Sequence, residues 1–336
     1  MLINNTDTDQ KVFIIAEIGN NHEGDINLAK EMILLAAEAG ADAVKFQTFN
    51  TKHYISAKDK KRFNMLKSFE LSNDDFRKLK KYAHEKKVSF ISTPFDIGSA
   101  KFLNEIVDAI KISSSDNNFF PLLNTVCKSN KPLIISTGLL NFKQLKATFD
   151  KVLSMFMKPS RKNEIALLHC VTAYPVEYKY ANLKAIETLR NNFDVVVGYS
   201  DHTLGVNAAI SSVSLGARII EKHFTKNKNQ SGFRDHKISA DPDEFSKMVK
   251  SIRDVELMLG SGEKIIQNPE KKIKLSVRRS IITKHKIKKG TALSIDDISW
   301  VRPGGGLSSE ETENIIGKIV KEDLSEGQKI SYDQLG

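Results

Sequence analysis

A closed (β/α)8 barrel followed by a small β-rich module is the fold this sequence predicts, on three observations. Eight apolar, β-branched-rich runs recur along the first 225 residues, at 12–19 (VFIIAEIG), 43–49 (AVKFQTF), 89–95 (SFISTPF), 109–115 (AIKISSS), 132–138 (PLIISTG), 165–170 (IALLHC), 195–201 (VVVGYSD) and 218–225 (RIIEKHFT). Amphipathic helical patterns lie between most of them, and strands buried on both faces that alternate with helices imply parallel pairing. Nearly every run ends in residues fit for chemistry, and the C-terminal strand ends are where such a barrel carries its active site. Those ends hold Glu17, Lys45, Gln47, Thr93, Lys111, Ser114, Ser136, His202 and His223. A polar ring of that composition around one mouth predicts an enzyme.

Taken in order, the first run gives way at Gly19, and Asp25 is placed to cap a helix whose apolar positions Ile26, Ala29, Ile33 and Ala37 follow helical spacing. Gly40 supplies its C-terminal stop. The segment 50–71, rich in lysine with aromatic punctuation, separates the second strand from its helix and reads as a long loop that lids the catalytic face. The later units keep barrel spacing and end in a helix over 243–259. The stretch 260–274 (GSGEKIIQNPEKKIK) is polar and broken by Gly and Pro, which marks a boundary. We therefore divide the chain into a barrel at 1–262, a linker at 263–275 and a module at 276–336. The last has short apolar runs and no long helical pattern. About sixty residues give a marginal core, so this module is expected to lean on something larger.

Composition narrows the function. At 336 residues, 40% hydrophobic and 27% charged, the chain reads as soluble and globular. Its first ten residues lack the layout of a signal peptide, and no apolar run approaches the ~20 residues of a membrane span. Two cysteines, Cys127 and Cys170, are too few for a disulfide framework and lie in apolar settings as reduced thiols, which points to the cytoplasm. The net charge of +10 comes from dispersed lysines with acids between them. No arginine-rich stripe with aromatics accompanies it, so an anionic small substrate is expected rather than nucleic acid.

Three groups in the ring carry the chemistry. His202 and His223 end neighbouring strands ~4.8 Å apart, and imidazoles at matching heights can share a divalent ion with open positions for water and substrate. Imidazole alone does not choose among Mn²⁺, Co²⁺ and Zn²⁺. Lys45 and Lys111, each on a buried strand, need an anion or a carboxylate partner. With Gln47, Thr93, Ser114 and Ser136 around them they resemble a phosphate or carboxylate cradle; two structural ion pairs, or a Schiff-base lysine, are the alternatives. Glu17, Asp116 and Asp235 supply carboxylates for acid–base work or hydroxyl binding, although Asp116 could equally be an ordinary helix cap.

These residues sit in motifs that resemble the sialic acid synthase family: E-I-G-N-N-H-E-G-D-I-N-L-A-K at 17–30, G-A-D-A-V-K-F-Q-T-F at 40–49, S-T-P-F-D at 92–96, I-I-S-T-G at 134–138, L-H-C-V-T-A-Y-P at 168–175, G-Y-S-D-H-T at 198–203 and E-K-H-F-T at 221–225. The tail, with R-R-S-I, K-I-K-K-G-T-A-L and V-R-P-G-G-G-L, is similar to the antifreeze-like (SAF) module of that family. The resemblance implies a divalent metal on His202 and His223, manganese ahead of magnesium and cobalt. It implies phosphoenolpyruvate (PEP) held by Lys45, Thr93, Lys111, Ser114, Ser136, Tyr174 and Ser200. It implies an acylamino sugar held by Glu17, Gln47, Asp116, Tyr174, Asp235 and, from the tail, Arg302, with Glu17, Asp235 and His223 as the catalytic groups. It also implies a homodimer in which the module of one subunit closes the barrel of the other.

The chain departs from the family pattern at several points. The loop after the eighth strand commonly reads G-P-D-H-x-x-S, whereas 231–239 is S-G-F-R-D-H-K-I-S, with Phe233-Arg234 in place of the proline. Asp116 stands where many members carry Glu, Ser115 for a common glycine, and Thr172 where some place asparagine. The expected reaction is condensation of PEP with N-acetylmannosamine or a related acetamido sugar and water, giving a nine-carbon 2-keto acid and phosphate. A legionaminic or pseudaminic acid synthase, a sialic acid 9-phosphate synthase, a heptulosonate-type aldolase and a non-catalytic sugar-binding barrel are the rival readings. A phosphorylated sugar would need a second basic cluster, which the strand ends do not show. Ice binding is not expected of so charged a tail.

Overall fold

The computed structural model describes residues 1–156 and 159–336. Eight parallel strands close a barrel: β1 (Phe13–Gly19), β2 (Ala43–Thr48), β3 (Ser89–Pro94), β4 (Ala109–Ile112), β5 (Leu133–Ser136), β6 (Ile165–Cys170), β7 (Val196–Asp201) and β8 (Ile219–His223), with β8 pairing back onto β1. All eight runs predicted from sequence are strands. Several are shorter at the C-terminal end, so that Ser114 and His202 lie just beyond their strands.

Helices cover the outside: α1 (Ile26–Glu38), α2 (Lys60–Phe69), α3 (Asn73–Glu85), α4 (Ile97–Ile106), α5 (Phe120–Cys127), α6 (Phe142–Met155), α7 (Ala185–Asn192), α8 (Asn207–Ser214) and α9 (Pro242–Leu259). Asp25 caps α1, accepting from the Asn27 and Leu28 amides, and Gly40 follows that helix with φ +91°. Both match the sequence expectation. The segment 50–71 does not. It holds a helical turn at Thr51–Tyr54 and then α2, whose Leu66 and Phe69 pack with Phe49 and Phe95 in a small aromatic cluster. Its aromatics drive it to bury a face rather than remain an irregular loop.

Strand periodicity sorts the side chains. Outward residues such as Ile14, Val44, Phe46, Phe90, Ile110, Ile135 and Leu167 join the helices in one large core. Inward residues at the N-terminal end are apolar: Phe13, Ile15, Ala43, Ile91, Ala109, Ile134, Ala166, Leu168 and Ile219 pack with Met1 and Ile3 from an N-terminal hairpin. One or two steps further along the same inward face every strand turns polar, which places the reactive groups in a lumen with an apolar floor.

The chain divides at Gly260 into a barrel unit and a second unit, Ser261–Gly336. The expected linker is not all irregular, for α10 (Asn268–Val277) occupies most of it, with Pro269 in its first turn and Glu270 completing a capping box on Gln267. Beyond it, β9 (Ser280–Thr283) and β10 (Ile298–Val301) pair antiparallel, and nine buried apolar residues, Ile281 and Leu324 among them, form a small core.

Candidate active site

At the C-terminal mouth of the barrel lies a cavity of about 310 Å³, and its deep wall is a network of buried charge. Lys45 Nζ is 2.8 Å from Glu17 Oε2, 3.0 Å from Thr93 Oγ1 and 3.8 Å from Glu221 Oε2. Lys111 Nζ is 2.6 Å from Ser136 Oγ and 3.7 Å from Glu221 Oε1, which in turn accepts from Ser200 Oγ at 2.9 Å. Each lysine therefore has a carboxylate, as the ion-pair alternative required, yet both also line the cavity.

The carboxylates are not equivalent. Burial pushes both upward. For Glu221 the flanking Lys111 and Lys45, with the Ser200 hydroxyl, outweigh burial and hold it below the ordinary range. For Glu17 burial, helped by the negative Glu221, outweighs a single lysine, Lys45, and the Gln47 amide, so its carboxyl is raised. Burial lowers Lys111 more than Glu221 restores it, whereas Glu17 and Glu221 together keep Lys45 above its usual value. Glu17 is thus the carboxyl prepared to carry a proton. Gln47 donates to its other oxygen at 3.1 Å, and Gly19, at φ +56°, leaves the space for that contact; a Cβ there would lie 3.0 Å from Glu17 Oε1.

A second niche adjoins Lys111. Ser114 Oγ and Thr172 Oγ1 are buried with no partner within the protein. Between them stands Gly138, where a Cβ would come within 2.6 Å and 2.5 Å of those two oxygens. Two free hydroxyls, a cleared space and a lysine are what an oxyanion needs.

The two histidines meet above this wall, with ring centroids 5.4 Å apart. His202 Nδ1 donates to the Val171 carbonyl at 2.9 Å, which fixes its tautomer and leaves Nε2 for a ligand. His223 is held neutral, well below the usual range, by burial and by His202 and Lys45, and its Nδ1 has no partner. Among the described residues no set of three His, Cys, Asp or Glu side chains forms a metal cluster. Burial lowers His202, but the Cys170 thiol, the Val171 carbonyl and Glu221 outweigh it and raise its pKa. Two imidazoles with remaining positions open suit a Lewis-acid ion better than a structural one. The Tyr174 ring lies 4.3 Å from His202 by centroid, and burial raises its phenol. Cys170 Sγ is 3.8 Å from His202 Nδ1; burial pushes the thiol up, but His202, Ser114 and Lys111 prevail and lower it.

Twelve residues proposed from sequence therefore share one cavity: Glu17, Lys45, Gln47, Thr93, Lys111, Ser114, Ser136, Tyr174, Ser200, His202, His223 and Asp235. Asp116 is not in its lining. Its carboxylate accepts from the hydroxyls of Ser113 and Ser115, two residues that do line it, and it caps no helix, since α5 begins after Phe119. Arg302 is exposed on the second unit, directly after β10. Sequence reasoning missed Glu221, Cys170, Tyr54, Arg62 and, as a site residue, Arg234. Glu221 was recoverable, because it shares inward parity with His223, already recognised on its strand. Cys170 shares its parity with Leu168, whose inward place the structure shows. Tyr54 and Arg62 come from the segment read as irregular and carried no such signal.

The barrel, the lysine–carboxylate wall and the paired histidines are the features of an enzyme of the (β/α)8 class. Comparison with known proteins makes this specific. Residues 32–264 match the NeuB family and residues 278–336 the SAF domain. The chain is 46% identical over 97% of its length to an uncharacterised protein of Methanocaldococcus jannaschii, covering 95% of it. It is 40% identical over 96% of its length to the N,N'-diacetyllegionaminic acid synthase of Legionella pneumophila, covering 94% of that enzyme. The crystal structure of an N-acetylneuraminic acid synthetase from Leptospira borgpetersenii, in complex with citrate, superposes with a TM-score of 0.72 at 37% identity, over 78% of this chain and 90% of that one. The chain belongs to the NeuB family, whose members among its relatives include nonulosonic acid synthases.

Proposed function

We propose that the enzyme condenses PEP with a free acetamido aldose of the mannosamine type and water, giving a nine-carbon 2-keto acid and inorganic phosphate. The observation that carries this reading is one cavity that brings an oxyanion niche (Lys111, Ser114, Ser136, Thr172 and the gap at Gly138) together with the imidazole pair and Glu17. Such a site holds an anionic enol ester at one end and an aldehyde at the other.

A divalent metal, manganese foremost, would be held by His202 and His223 and would supply Lewis-acid polarisation of the aldehyde. Lys45 and Lys111 hold the phosphate and carboxylate of PEP and stay fixed as charge moves between them. Carbon 3 of PEP forms the new bond to the aldehyde carbon, whose oxygen gains a proton. Water adds to carbon 2 and loses one. Glu17, raised by burial and in contact with Lys45, is the group that passes this proton. The tetrahedral carbon then expels phosphate as its C–O bond breaks and the ketone forms. Asp235 and Gln47, at the mouth, take sugar hydroxyls.

The resemblance to the family supports a homodimer in which Arg302 serves the partner's site. Apolar side chains left exposed in each unit also fit an assembly: Leu257 and Met258 in the barrel unit, Ile273 and Leu275 in the second. Because PEP is a metabolite of the cell interior, the cytoplasm is the compartment we propose. Among the described residues no helix is long and apolar enough to cross a membrane.

The test is phosphate release from PEP by purified enzyme with free acetamido aldoses. Release that requires both sugar and divalent metal, and that is lost in His202→Ala and His223→Ala proteins of native fold, is the expected result. Full turnover in excess chelator with metal confirmed absent would remove the Lewis-acid role. No release with any sugar would leave a binding protein.

A further inference from the structure

On the outward face of the two strands that carry the histidines lies a buried charged cluster that the proposed reaction does not use. Lys222 and Asp201 are register partners on the last rung of the β7–β8 ladder, with Lys222 Nζ 2.8 Å from Asp201 Oδ2. The same ammonium donates to the Thr203 carbonyl. Asp201 Oδ1 accepts from the Thr203 amide at 2.8 Å, which closes a turn over His202, and from the Tyr199 hydroxyl at 3.2 Å. Lys222, Asp201 and Thr203 are all buried.

One side chain therefore grips the residues on both sides of His202 and directly precedes His223 in the chain. Strand alternation turns the imidazoles to the cavity and leaves the ion pair on the opposite face. Both histidines lie past the backbone pairing of their strands, whose register stops at Lys222 and Asp201. Their carbonyls are held separately, His202 by the Val176 amide at 2.9 Å and His223 by the Ala240 amide at 2.8 Å. We propose that Lys222 is a positioning residue for the metal: it sets the separation of the two imidazoles, and with it the affinity of the site for a divalent ion. The inference rests on the reading of His202 and His223 as metal ligands.

Stability alone does not account for the pair. Attraction within a buried ion pair seldom exceeds its desolvation cost by much, and well-packed apolar residues of similar volume commonly do as well. The outward faces of β4 and β5 end in that way, on Ile112 and Ile135, which join the apolar core. Charge at the ends of β7 and β8 adds direction. An ammonium shared between a carboxylate and a carbonyl fixes a backbone turn that apolar contacts would let slide. Metal ligands must sit within about 0.2 Å of their proper distances, so a loosened turn weakens binding.

The experiment measures Mn²⁺ binding to the substrate-free protein by loss of the free-ion EPR signal, beside thermal melts. Wild type should bind the ion, and His223→Ala should abolish binding. Lys222→Met should weaken it about ten-fold, the low end for outer-shell partners of metal ligands. Lys222→Met combined with Asp201→Asn leaves no charge of the pair stranded, and should regain melting temperature without regaining the metal. Arg253→Met is the control, for it breaks a 2.7 Å ion pair with Asp42, which precedes β2 at the other end of the barrel. It should lower the melting temperature with Mn²⁺ affinity unchanged. Wild-type affinity in the double variant would overturn the inference. An equal loss of affinity in Arg253→Met would overturn it too, since general destabilisation would then suffice. No binding by wild type would remove the metal from the histidines, and this inference with it.

Discussion

Lys45, Lys111 and Lys222 are all buried on barrel strands, and each has a carboxylate within 4 Å, yet they do different things. Parity separates them. Lys222 points outward, where Asp201 at 2.8 Å and the Thr203 carbonyl satisfy it away from the cavity. Lys45 and Lys111 point inward and line it. We expect Lys45→Ala and Lys111→Ala to weaken PEP binding by on the order of 2–5 kcal/mol, with much less effect on sugar affinity, because each removes a desolvated charge partner of the anion. Lys222→Ala should instead lower stability by about 3–5 kcal/mol through the stranded Asp201, with PEP affinity of the folded protein unchanged. Titration calorimetry with PEP and thermal melts on the three variants check this. Equal loss of PEP affinity in all three would mean that parity does not decide the role.

The element that connects β1 to α1 carries its own titratable group. His22 is buried against Phe46, its Nδ1 accepts from the Gly24 amide, and its Nε2 has no partner. Burial drives its pKa down to about 4, against a weaker upward pull from Asp25 and Glu23. The folded state thus binds the proton less readily than the unfolded chain, for which about 6.5 is ordinary. Between those values the unfolded chain holds more protons, so stability is full above pH 6.5 and is lost as pH falls towards 4. The loss amounts to about 3 kcal/mol over that window at 1.36 kcal/mol per pH unit. Chemical denaturation at pH 7 and pH 4.5, in wild type and in His22→Gln, measures it. The variant should shed most of this window's slope, and an unchanged slope would place the acid sensitivity elsewhere.

At the scale of the whole molecule the prediction concerns Arg302. A heterodimer of one subunit carrying Arg302→Ala and one carrying His223→Ala distinguishes service to the partner from service to the arginine's own barrel. In the first case one site bears both lesions and the other none, so about half the wild-type activity returns in a two-fold dimer. In the second, each site bears one lesion and the mixture stays inactive, which would refute the exchange.

How much of this was legible in the chain follows from what sets each feature. Barrel strands are buried on both faces and turn polar at one end by local pattern, so all eight were visible, as were Asp25, Gly40 and the inward residues with an obvious charge or imidazole. The family motifs added the order in which those residues meet. Other features depended on packing between segments far apart in sequence. The helical form of 50–71 comes from Leu66 and Phe69 finding Phe49 and Phe95. The displacement of Asp116 from the cavity comes from Ser113 and Ser115 capturing its carboxylate. The place of Glu221 between two lysines on other strands, and of Arg62 in one cavity lining with Arg234, is likewise tertiary. By itself the sequence determined the barrel, the module and the groups that can hold an anion and a metal, because these rest on local periodicity and residue chemistry. Which carboxyl is raised and which lowered, Glu17 against Glu221, only the tertiary structure decided, because burial and opposing charge are properties of neighbours in space.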